Sequence, residues 1–255
     1  MTVSLEATYL KLLPWQHVTR YLDDVTVLLV LSGKLIPCFY TEKNPQGIII
    51  HGMQERISPF KSSPCAVLLP PGGLEISVAD LPGEGLLVSL GHSKLSLYPI
   101  TLPFVVPAAQ FRQRHIDYGE GTQRTVWTPE LPMSWPIRFG ETVNEVGCFS
   151  SFPAHQNELD LLAQYPDTPG WVERFFVVLD PPAGWGLIRR QGRWAGGGQV
   201  DDAQVFQSGQ WIEVPCGFHP ITAGPNMRLY YAWFYFAGEG KGKEYGEFST
   251  QTPYL

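Results

Sequence analysis

Short runs of apolar and β-branched residues recur along this chain, and a proline or glycine interrupts almost every gap between them. The clearest runs are VTVLLVL (25–31), GIIIHG (47–52), CAVLLP (65–70), GLLVSLG (85–91), RFFVVL (174–179), WIEVP (211–215) and LYYAWFYF (229–236). This spacing is typical of β-sandwiches and β-barrels, in which tight turns join many short strands. With 23 prolines and 26 glycines, the 255-residue chain leaves little room for long helices, and its best helix candidate is the short segment 158–164. The pattern predicts an all-β protein.

Two stretches, one in each half of the chain, resemble each other. LPPGGL (69–74) aligns with VPCGFH (214–219), and each stretch lies between two apolar strands, the second of which ends at a glycine. The repeat fits two β-barrels in tandem. Prolines interrupt the pattern between Tyr98 and Pro107, so we predict an N-terminal barrel over 1–104 and a C-terminal barrel over 105–255. Leu74 aligns with His219, so we expect the N-terminal barrel to lack metal ligands.

Charge and hydropathy argue against two classes of partner. The formal net charge is −6, and no basic stripe is present that could neutralise phosphates, so we expect no nucleic-acid binding. The most apolar run, 25–31, is far too short to cross a bilayer, so we expect no membrane association. The first residues, MTVSLEATYLKLLPW, lack the basic start and small-residue cleavage site of a secretory signal.

The cysteines indicate a reducing cellular compartment. Cys38, Cys65, Cys148 and Cys216 show neither CxxC spacing nor the density of a disulfide scaffold, so we expect reduced thiols. We therefore predict a cytoplasmic protein. Cys216 lies three residues before His219 and could ligate a metal, although its position in a Pro-Cys-Gly stretch favours a turn residue.

Three residues in the second half have side chains that could hold a metal ion. They are His155 in FPAHQN, Glu173 in WVERFF and His219 in VPCGFHP. In a small barrel, inward-facing residues from neighbouring strands converge on one cavity. Two imidazoles and a carboxylate would hold a divalent ion and leave coordination positions open. The spacing alone favours another interpretation, in which the histidines cap turns and the glutamate lies on a solvated face.

The same segments resemble a known enzyme family. GET (140–142) followed by GCFSSFPAH (147–155) resembles the GET…GNWSSYPPHKHD signature of the 5-deoxy-glucuronate isomerase family, cupins that are related to 5-keto-4-deoxyuronate isomerase. Three later segments are similar in the same order: VERFF (172–176) to LEExYY, PCGFHP (215–220) to PKGYHP, and LYY (229–231) with AG (237–238) to YYL…AG. The resemblance covers roughly residues 110–238. It implies two tandem cupin domains, which are jelly-roll β-barrels, and an aldose–ketose isomerase that acts on a 5-deoxy-glucuronate-like sugar acid in inositol catabolism.

The resemblance also implies a metal site. The family's ligands, two histidines of an HxH motif, a glutamate and a later histidine, fall on His155, Asn157, Glu173 and His219. The expected cofactor is a divalent metal, with zinc as the first choice and manganese, nickel or iron as alternatives. Asn157 departs from the family, because a neutral amide oxygen is a poor zinc ligand. The family's QRVYTDD-like stretch is IRRQGRW (188–194) here, without aspartates, and the tail after residue 238 does not match.

Further roles follow from the implied reaction. Arg189 and Arg190 could bind the carboxylate of the sugar acid, since a guanidinium matches it bidentately, or they could lie on a solvated face. Glu173 would act in catalysis through the metal, and Tyr231 is a candidate acid or base that could equally belong to the core. Barrel edges in cupins commonly pair, which implies a homodimer.

Two alternatives from other classes stay open. A set of two histidines and one carboxylate also serves non-heme iron oxygenases, so the chain could be a metal-dependent cupin oxygenase. Alternatively, Asn157 marks a cupin that binds a sugar acid without converting it. Bound iron with oxygen consumption would favour the oxygenase, and the absence of bound metal would favour the binding protein.

Overall fold

The computed structural model describes residues 4–91, 100–117, 123–131, 135–151, 155–156, 173–193, 199–215, 217–236 and 249–250. Within these ranges the strands are β1 (Ser4–Leu12), β2 (His17–Leu22), β3 (Thr26–Ser32), β4 (Ile36–Thr41), β5 (Asn44–Ile49), β6 (Ala66–Leu69), β7 (Gly72–Ser77), β8 (Gly83–Gly91), β9 (Phe104–Val106), β10 (Phe111–Asp117), β11 (Gln123–Pro129), β12 (Ile137–Asn144), β13 (Phe149–Ser150), β14 (His155–Gln156), β15 (Glu173–Asp180), β16 (Gly186–Arg193), β17 (Gln199–Phe206), β18 (Trp211–Val214), β19 (Ile221–Ala223), β20 (Arg228–Phe236) and β21 (Ser249–Thr250). One 3₁₀ turn, Ala108–Gln110, is the sole helical element in this part of the chain. The predicted helix segment 158–164 lies outside it.

The chain divides into two compact units. One contains the described residues of Val3–Arg112 together with Pro129–Leu131, and the other contains those of Gln113–Thr128 and Pro132–Leu255. The domain boundary that the prolines predict between residues 104 and 105 stays a prediction. No helix among the described residues is long and apolar enough to cross a membrane.

Each unit is built from two antiparallel sheets. In the N-terminal unit the strand orders are β1-β8-β3-β6-β9 and β2-β7-β4-β5. In the C-terminal unit they are β10-β11-β12-β20-β15-β18 and β13-β19-β16-β17, while β14 and β21 form a separate two-stranded ladder. The order β1-β8-β3-β6 corresponds to β12-β20-β15-β18, and β2-β7-β4-β5 corresponds to β13-β19-β16-β17. Both units are therefore double-sheet jelly rolls, and the prediction of an all-β chain with two tandem cupin barrels is confirmed.

The strand register shows which residues of the two units occupy equivalent positions. Thr26 pairs with Leu69 in the N-terminal unit, and Glu173 pairs with Val214 in the C-terminal unit. Since Leu69 and Val214 end equivalent strands, Thr26 occupies the position of Glu173, and Leu74 occupies the position of His219. Leu74 is buried in the apolar core of its unit.

Alternation along the strands decides which side chains face the interior of the C-terminal barrel. On β15 the odd-numbered Phe175, Val177 and Leu179 belong to its apolar core. The other core members come from five further strands: Ile188, Phe206, Ile212, Val214, Ile221, Leu229, Tyr231 and Trp233. Directly opposed residues of an antiparallel pair lie on the same face, so the register extends this inner face to the strands that pair with the core strands, including β12.

One inward-facing arginine joins the two sheets of the C-terminal barrel. Arg190 pairs across strands with Asp202. Its Nε and one terminal nitrogen donate to the two Asp202 carboxylate oxygens, each over 2.8 Å. The other terminal nitrogen donates to the backbone carbonyl of Glu213 on β18, over 2.7 Å. Its neighbour Arg189 faces outward and forms an ion pair with Asp201.

We predict that Arg190→Gln lowers the free energy of unfolding by about 1–2 kcal/mol, because it breaks a bidentate ion pair and a hydrogen bond between two sheets. Arg189→Gln is the matched control, and its exposed ion pair should contribute less than about 1 kcal/mol. Urea unfolding followed by tryptophan fluorescence measures both. Equal losses for the two variants would contradict the proposed role of Arg190.

Candidate metal centre at one end of the C-terminal barrel

Glu173 is a buried carboxylate on the inner face of the barrel. It begins β15, two residues before the core residue Phe175, and its side chain therefore points inward with that of Phe175. Tyr235 on β20 and Val214 on β18 are its cross-strand partners. Only 6% of its surface is exposed, so Glu173 does not lie on a solvated face.

His219 reaches the same interior from the loop before β19. Phe218 forms an isolated bridge with Gln191 on β16, and His219, the next residue, turns to the opposite side. Its imidazole is 2% exposed and contacts the ring of Phe175 edge-on, with the ring centroids 5.7 Å apart. The structure therefore brings Glu173 and His219 together.

Gly217 sets the backbone that delivers His219. Its φ of 81° lies in the left-handed region, where a residue with a Cβ is strained. A Cβ there would also collide with the backbone of Gln191 and Gly192. Because only glycine fits, the loop can approach β16 closely and turn the Gly217 carbonyl towards the imidazole.

A hydrogen bond to that carbonyl decides the protonation pattern of the His219 ring. Nδ1 lies 2.7 Å from the Gly217 carbonyl oxygen, which can only accept, so Nδ1 carries the proton and donates. Burial lowers the pKa of His219 to about 4, against the smaller opposing effect of this hydrogen bond. At neutral pH the ring is therefore neutral. Its Nε2 presents a lone pair, 3.4 Å from Oε2 of Glu173.

This pair fits a divalent metal. Histidines that bind metals almost always donate their other ring N–H to a carbonyl or carboxylate, as His219 does to Gly217. Ligand atoms with bonds of about 2.1 Å in a tetrahedral site are about 3.4 Å apart, and the Nε2–Oε2 distance is 3.4 Å. A lone pair that faces a carboxylate oxygen is also an arrangement that a cation stabilises.

The structure does not describe the side chains of the other two expected ligands, His155 and Asn157. The backbone of His155 belongs to β14, where it pairs with Thr250, and Asn157 is outside the described residues. Among the residues that the structure describes, no group of three His, Cys, Asp or Glu side chains could hold a metal. The assignment of His155 and Asn157 to the metal stays a prediction, as does that of Cys216, which is also outside the described ranges.

Two further polar residues share the level of Glu173. Tyr235 pairs with Glu173 on one side and with Arg138 of β12 on the other, so the three side chains form a row across adjacent strands of the inner face. Arg138 is buried, with 9% of its surface exposed. Neither residue was predicted from the sequence. The alternation of Trp233 with Tyr235 could have indicated Tyr235, whereas Arg138 becomes visible only through the strand register.

The levels below this row are mainly apolar. Trp233 and Phe175 occupy the next level, and Tyr231 with Val177 the level after it. Tyr231 is buried in the core, its ring centroid 5.0 Å from that of Phe175. Its Cα lies about 13 Å along the strand from that of Tyr235, at about 3.3 Å per residue. Tyr235 is thus the tyrosine that the pairing places beside Glu173.

A family model matches most of the chain. The model of the KduI/IolB family covers residues 46–248. The chain belongs to the KduI/IolB family. This confirms the resemblance that the motifs indicated.

Individual relatives of this family member agree with the assignment. The chain is 28% identical over 104 residues to a 5-deoxy-glucuronate isomerase of Geobacillus kaustophilus, a match that spans 40% of this chain and 36% of the relative's length. An IolB-like protein of Salmonella typhimurium LT2 superposes with a TM-score of 0.77 at 19% identity, over 98% of this chain and 88% of the other. Bacillus subtilis oxalate decarboxylase, a protein with Mn(II) centres, superposes with a TM-score of 0.62 at 12% identity, over 96% and 71% of the two chains. At these identities the two structures show the shared fold.

We predict that Gly217→Ala destabilises this KduI/IolB family member more than Gly209→Ala does. The two glycines have nearly the same left-handed φ, 81° and 83°, but a Cβ at Gly209 meets nothing within 4 Å. Gly209→Ala should therefore cost only the backbone strain of about 1–2 kcal/mol. Gly217→Ala adds a collision with β16, and urea unfolding should show at least about 1 kcal/mol of further loss. Similar losses would mean that the loop relaxes without the glycine.

Proposed function

We propose that this protein is a metal-dependent sugar-acid isomerase, which interconverts the aldehyde and ketone forms of a 5-deoxy-glucuronate-like hexuronate in inositol catabolism. The observation that carries the proposal is the buried pair of Glu173 and His219, with the His219 tautomer fixed by Gly217. Family membership supports it. So does the similarity to part of the Geobacillus kaustophilus protein, which is named 5-deoxy-glucuronate isomerase.

The reaction requires two proton movements and no external oxidant. The hydrogen on the hydroxyl-bearing carbon moves as a proton to the aldehyde carbon, and the hydroxyl proton moves to the former carbonyl oxygen. Both steps need the carbonyl oxygen polarised and an acid or base in reach. A divalent metal at Glu173 and His219, bound also by His155 and Asn157 of the sequence motif, would supply the polarisation as a Lewis acid.

The protein's own residues supply the setting for these steps. His219, neutral and held by Gly217, contributes a nitrogen lone pair, and Glu173 contributes negative charge. Phe175 and Trp233 form an apolar floor that keeps bulk water out and strengthens electrostatic interactions at the row above. For the proton transfers we propose Tyr235 beside Glu173, with Tyr231 as the alternative from the sequence.

The metal is an inference from the donor set. One imidazole nitrogen and one carboxylate oxygen suit zinc, manganese, nickel and iron, and zinc ranks first because the Nε2–Oε2 distance matches a tetrahedral edge. Manganese gains support from the Mn(II) centres of the oxalate decarboxylase that shares the fold. Elemental analysis of protein purified without added metal decides among them. Iron accompanied by oxygen consumption would instead support an oxygenase.

We predict that Glu173→Gln lowers isomerase activity at least about 100-fold while the fold is kept. The amide preserves the volume of the side chain and removes the negative ligand. Glu213→Gln is the matched control, because it is the same substitution on the adjacent strand β18. Glu213 lies on the outer face, where it forms an ion pair with Arg174 over 2.5 Å. Appearance of ketone from 5-deoxy-glucuronate measures activity, and circular dichroism checks the fold.

Two results would count against the proposal. Metal-loaded wild-type protein that converts neither 5-deoxy-glucuronate nor galacturonate-derived ketouronates would exclude the isomerase. Equal activities of Glu173→Gln and Glu213→Gln would show that the buried carboxylate takes no part in the reaction.

We predict that Asn157→His strengthens metal binding. An imidazole supplies the fourth nitrogen or oxygen donor that the family motif has at this position, whereas an amide oxygen binds zinc poorly. The affinity should rise at least about 10-fold, in line with the effect of a changed metal-site partner. Isothermal titration of zinc, manganese and nickel into both proteins measures the change. Unchanged affinities would mean that Asn157 does not face the metal.

A further inference from the structure

We infer that the short strand β21 (Ser249–Thr250) positions His155 for the metal ion. The inference rests on the proposed function, because it takes from that proposal a metal that His155 binds together with Glu173 and His219. It adds a role for residues 249–250, which lie just beyond the part of the chain that the family model matches, residues 46–248. The positioning contact therefore does not follow from family membership.

The barrel itself holds two of the three expected ligands. Glu173 begins β15, which pairs with β20 on one side and with β18 on the other. His219 follows the bridge between Phe218 and Gln191, and its ring donates to the Gly217 carbonyl. The backbone near each of these two ligands is therefore fixed by pairing with strands of the barrel's two sheets.

The third expected ligand, His155, has a different kind of support. Its strand β14 belongs to neither sheet of the barrel, and among the strands that the structure describes it pairs only with β21. His155 is directly opposite Thr250, and Gln156 is directly opposite Ser249. It is thus β21 that pairs with the backbone of His155.

The strand before β14 directs the chain towards the candidate metal centre. β13 pairs antiparallel with β19, and its last residue, Ser150, is opposite Ile221. Ile221 follows His219 by two residues, so the chain leaves β13 in the direction of His219. His155 comes five residues after Ser150, which is a reach of at most about 17 Å. A connection of that length does not by itself define where His155 lies, and the ladder with β21 supplies the second constraint.

A ligand that is already in position binds a metal more tightly. A residue whose backbone becomes ordered only when the metal binds loses conformational freedom at that moment, and this cost reduces the affinity. Metal ligands are oriented by partners in the surrounding protein, and replacing such a partner typically lowers metal affinity about 10- to 100-fold. Pairing of β14 with β21 would meet the ordering cost of His155 before the metal arrives.

The test replaces both residues of β21 by proline in the full chain. Proline lacks a backbone N–H and fixes φ, so it weakens a β-ladder. Consecutive pairs of an antiparallel ladder alternate between hydrogen-bonded and non-hydrogen-bonded. The double variant Ser249→Pro/Thr250→Pro therefore removes the hydrogen-bonding N–H of β21, whichever pair contains it. The two single variants take its place if the double variant does not fold, which circular dichroism checks.

The matched control is Ser249→Ala/Thr250→Ala, because it removes both hydroxyl groups and keeps both backbone N–H groups. Isothermal titration of zinc, manganese and nickel measures the metal affinity of each protein. The proline variant should bind metal roughly 10- to 100-fold more weakly than the wild type, and the alanine variant should bind it as the wild type does. Equal losses in the two variants would overturn a role of the backbone ladder.

A second comparison asks whether the prolines act through His155. His155→Ala should lower the metal affinity at least as far as the prolines do. In the His155→Ala background the prolines should cause no further loss, because the residue that they displace is already absent. A loss by the same factor in both backgrounds would overturn the inference, and so would an unchanged affinity of His155→Ala.

The coupling should also be measurable at β21 without changing any residue of that strand. Coupling between two sites is reciprocal, so a metal that binds His155 should strengthen the pairing of β14 with β21 by a similar factor. Zinc should therefore slow the amide hydrogen exchange of a peptide that contains Ser249 and Thr250 in the wild type, but not in His155→Ala. Equal slowing in both proteins, or none in either, would contradict the coupling.

The outcomes separate this inference from the proposed function. If the metal-loaded wild type converts the sugar acid but the proline variant binds metal as the wild type does, the isomerase stands and the role of β21 is overturned. If the prolines lower the affinity only while His155 is present and no conversion occurs, the inference holds and the isomerase fails. A wild type that binds none of the three metals would overturn both.

Discussion

The hydrogen bond from Nδ1 of His219 to the Gly217 carbonyl is the interaction on which the candidate site depends. It leaves Nε2 as the one acceptor of a neutral ring and points it at Glu173, 3.4 Å away. The bond exists only because the backbone at Gly217 is left-handed and close to Gln191, where no side chain fits. A backbone property of one residue thus determines the chemistry of a side chain two residues later, in the way that outer partners orient metal ligands.

The antiparallel register extends this site across the sheet. Because opposed residues share a face, the pairs of Tyr235 with Arg138 and with Glu173 place three polar side chains on one level above Phe175 and Trp233. Burying these polar groups deeper would leave them without water and raise the cost of desolvation. They lie at one end of the interior, and the apolar core below them stabilises the barrel.

The sequence predicted strand content and tandem architecture because both depend on local patterns. The runs at 174–179 and 229–236 fall within β15 and β20. The run 47–52 is different, because β5 ends at Ile49 and both Ile48 and Ile49 are exposed, and apolar content alone does not reveal which strand lies at a sheet edge. Motif resemblance found Glu173 and His219. It could not find Arg138, because the residue opposite it on the neighbouring strand, Tyr235, lies almost one hundred residues away in the sequence.

The N-terminal barrel shows that this fold does not itself require polar residues at the site. At the positions of Glu173 and His219 it carries Thr26 and Leu74, and Leu74 packs in an apolar core opposite Phe39. The same backbone positions can therefore be filled by residues that need no compensation for lost hydration. A buried carboxylate beside a buried imidazole carries a desolvation cost that such residues avoid. The C-terminal barrel keeps this pair in spite of the cost, whereas the N-terminal barrel of the same chain does without it. This difference between the two barrels argues for binding or catalysis at Glu173 and His219.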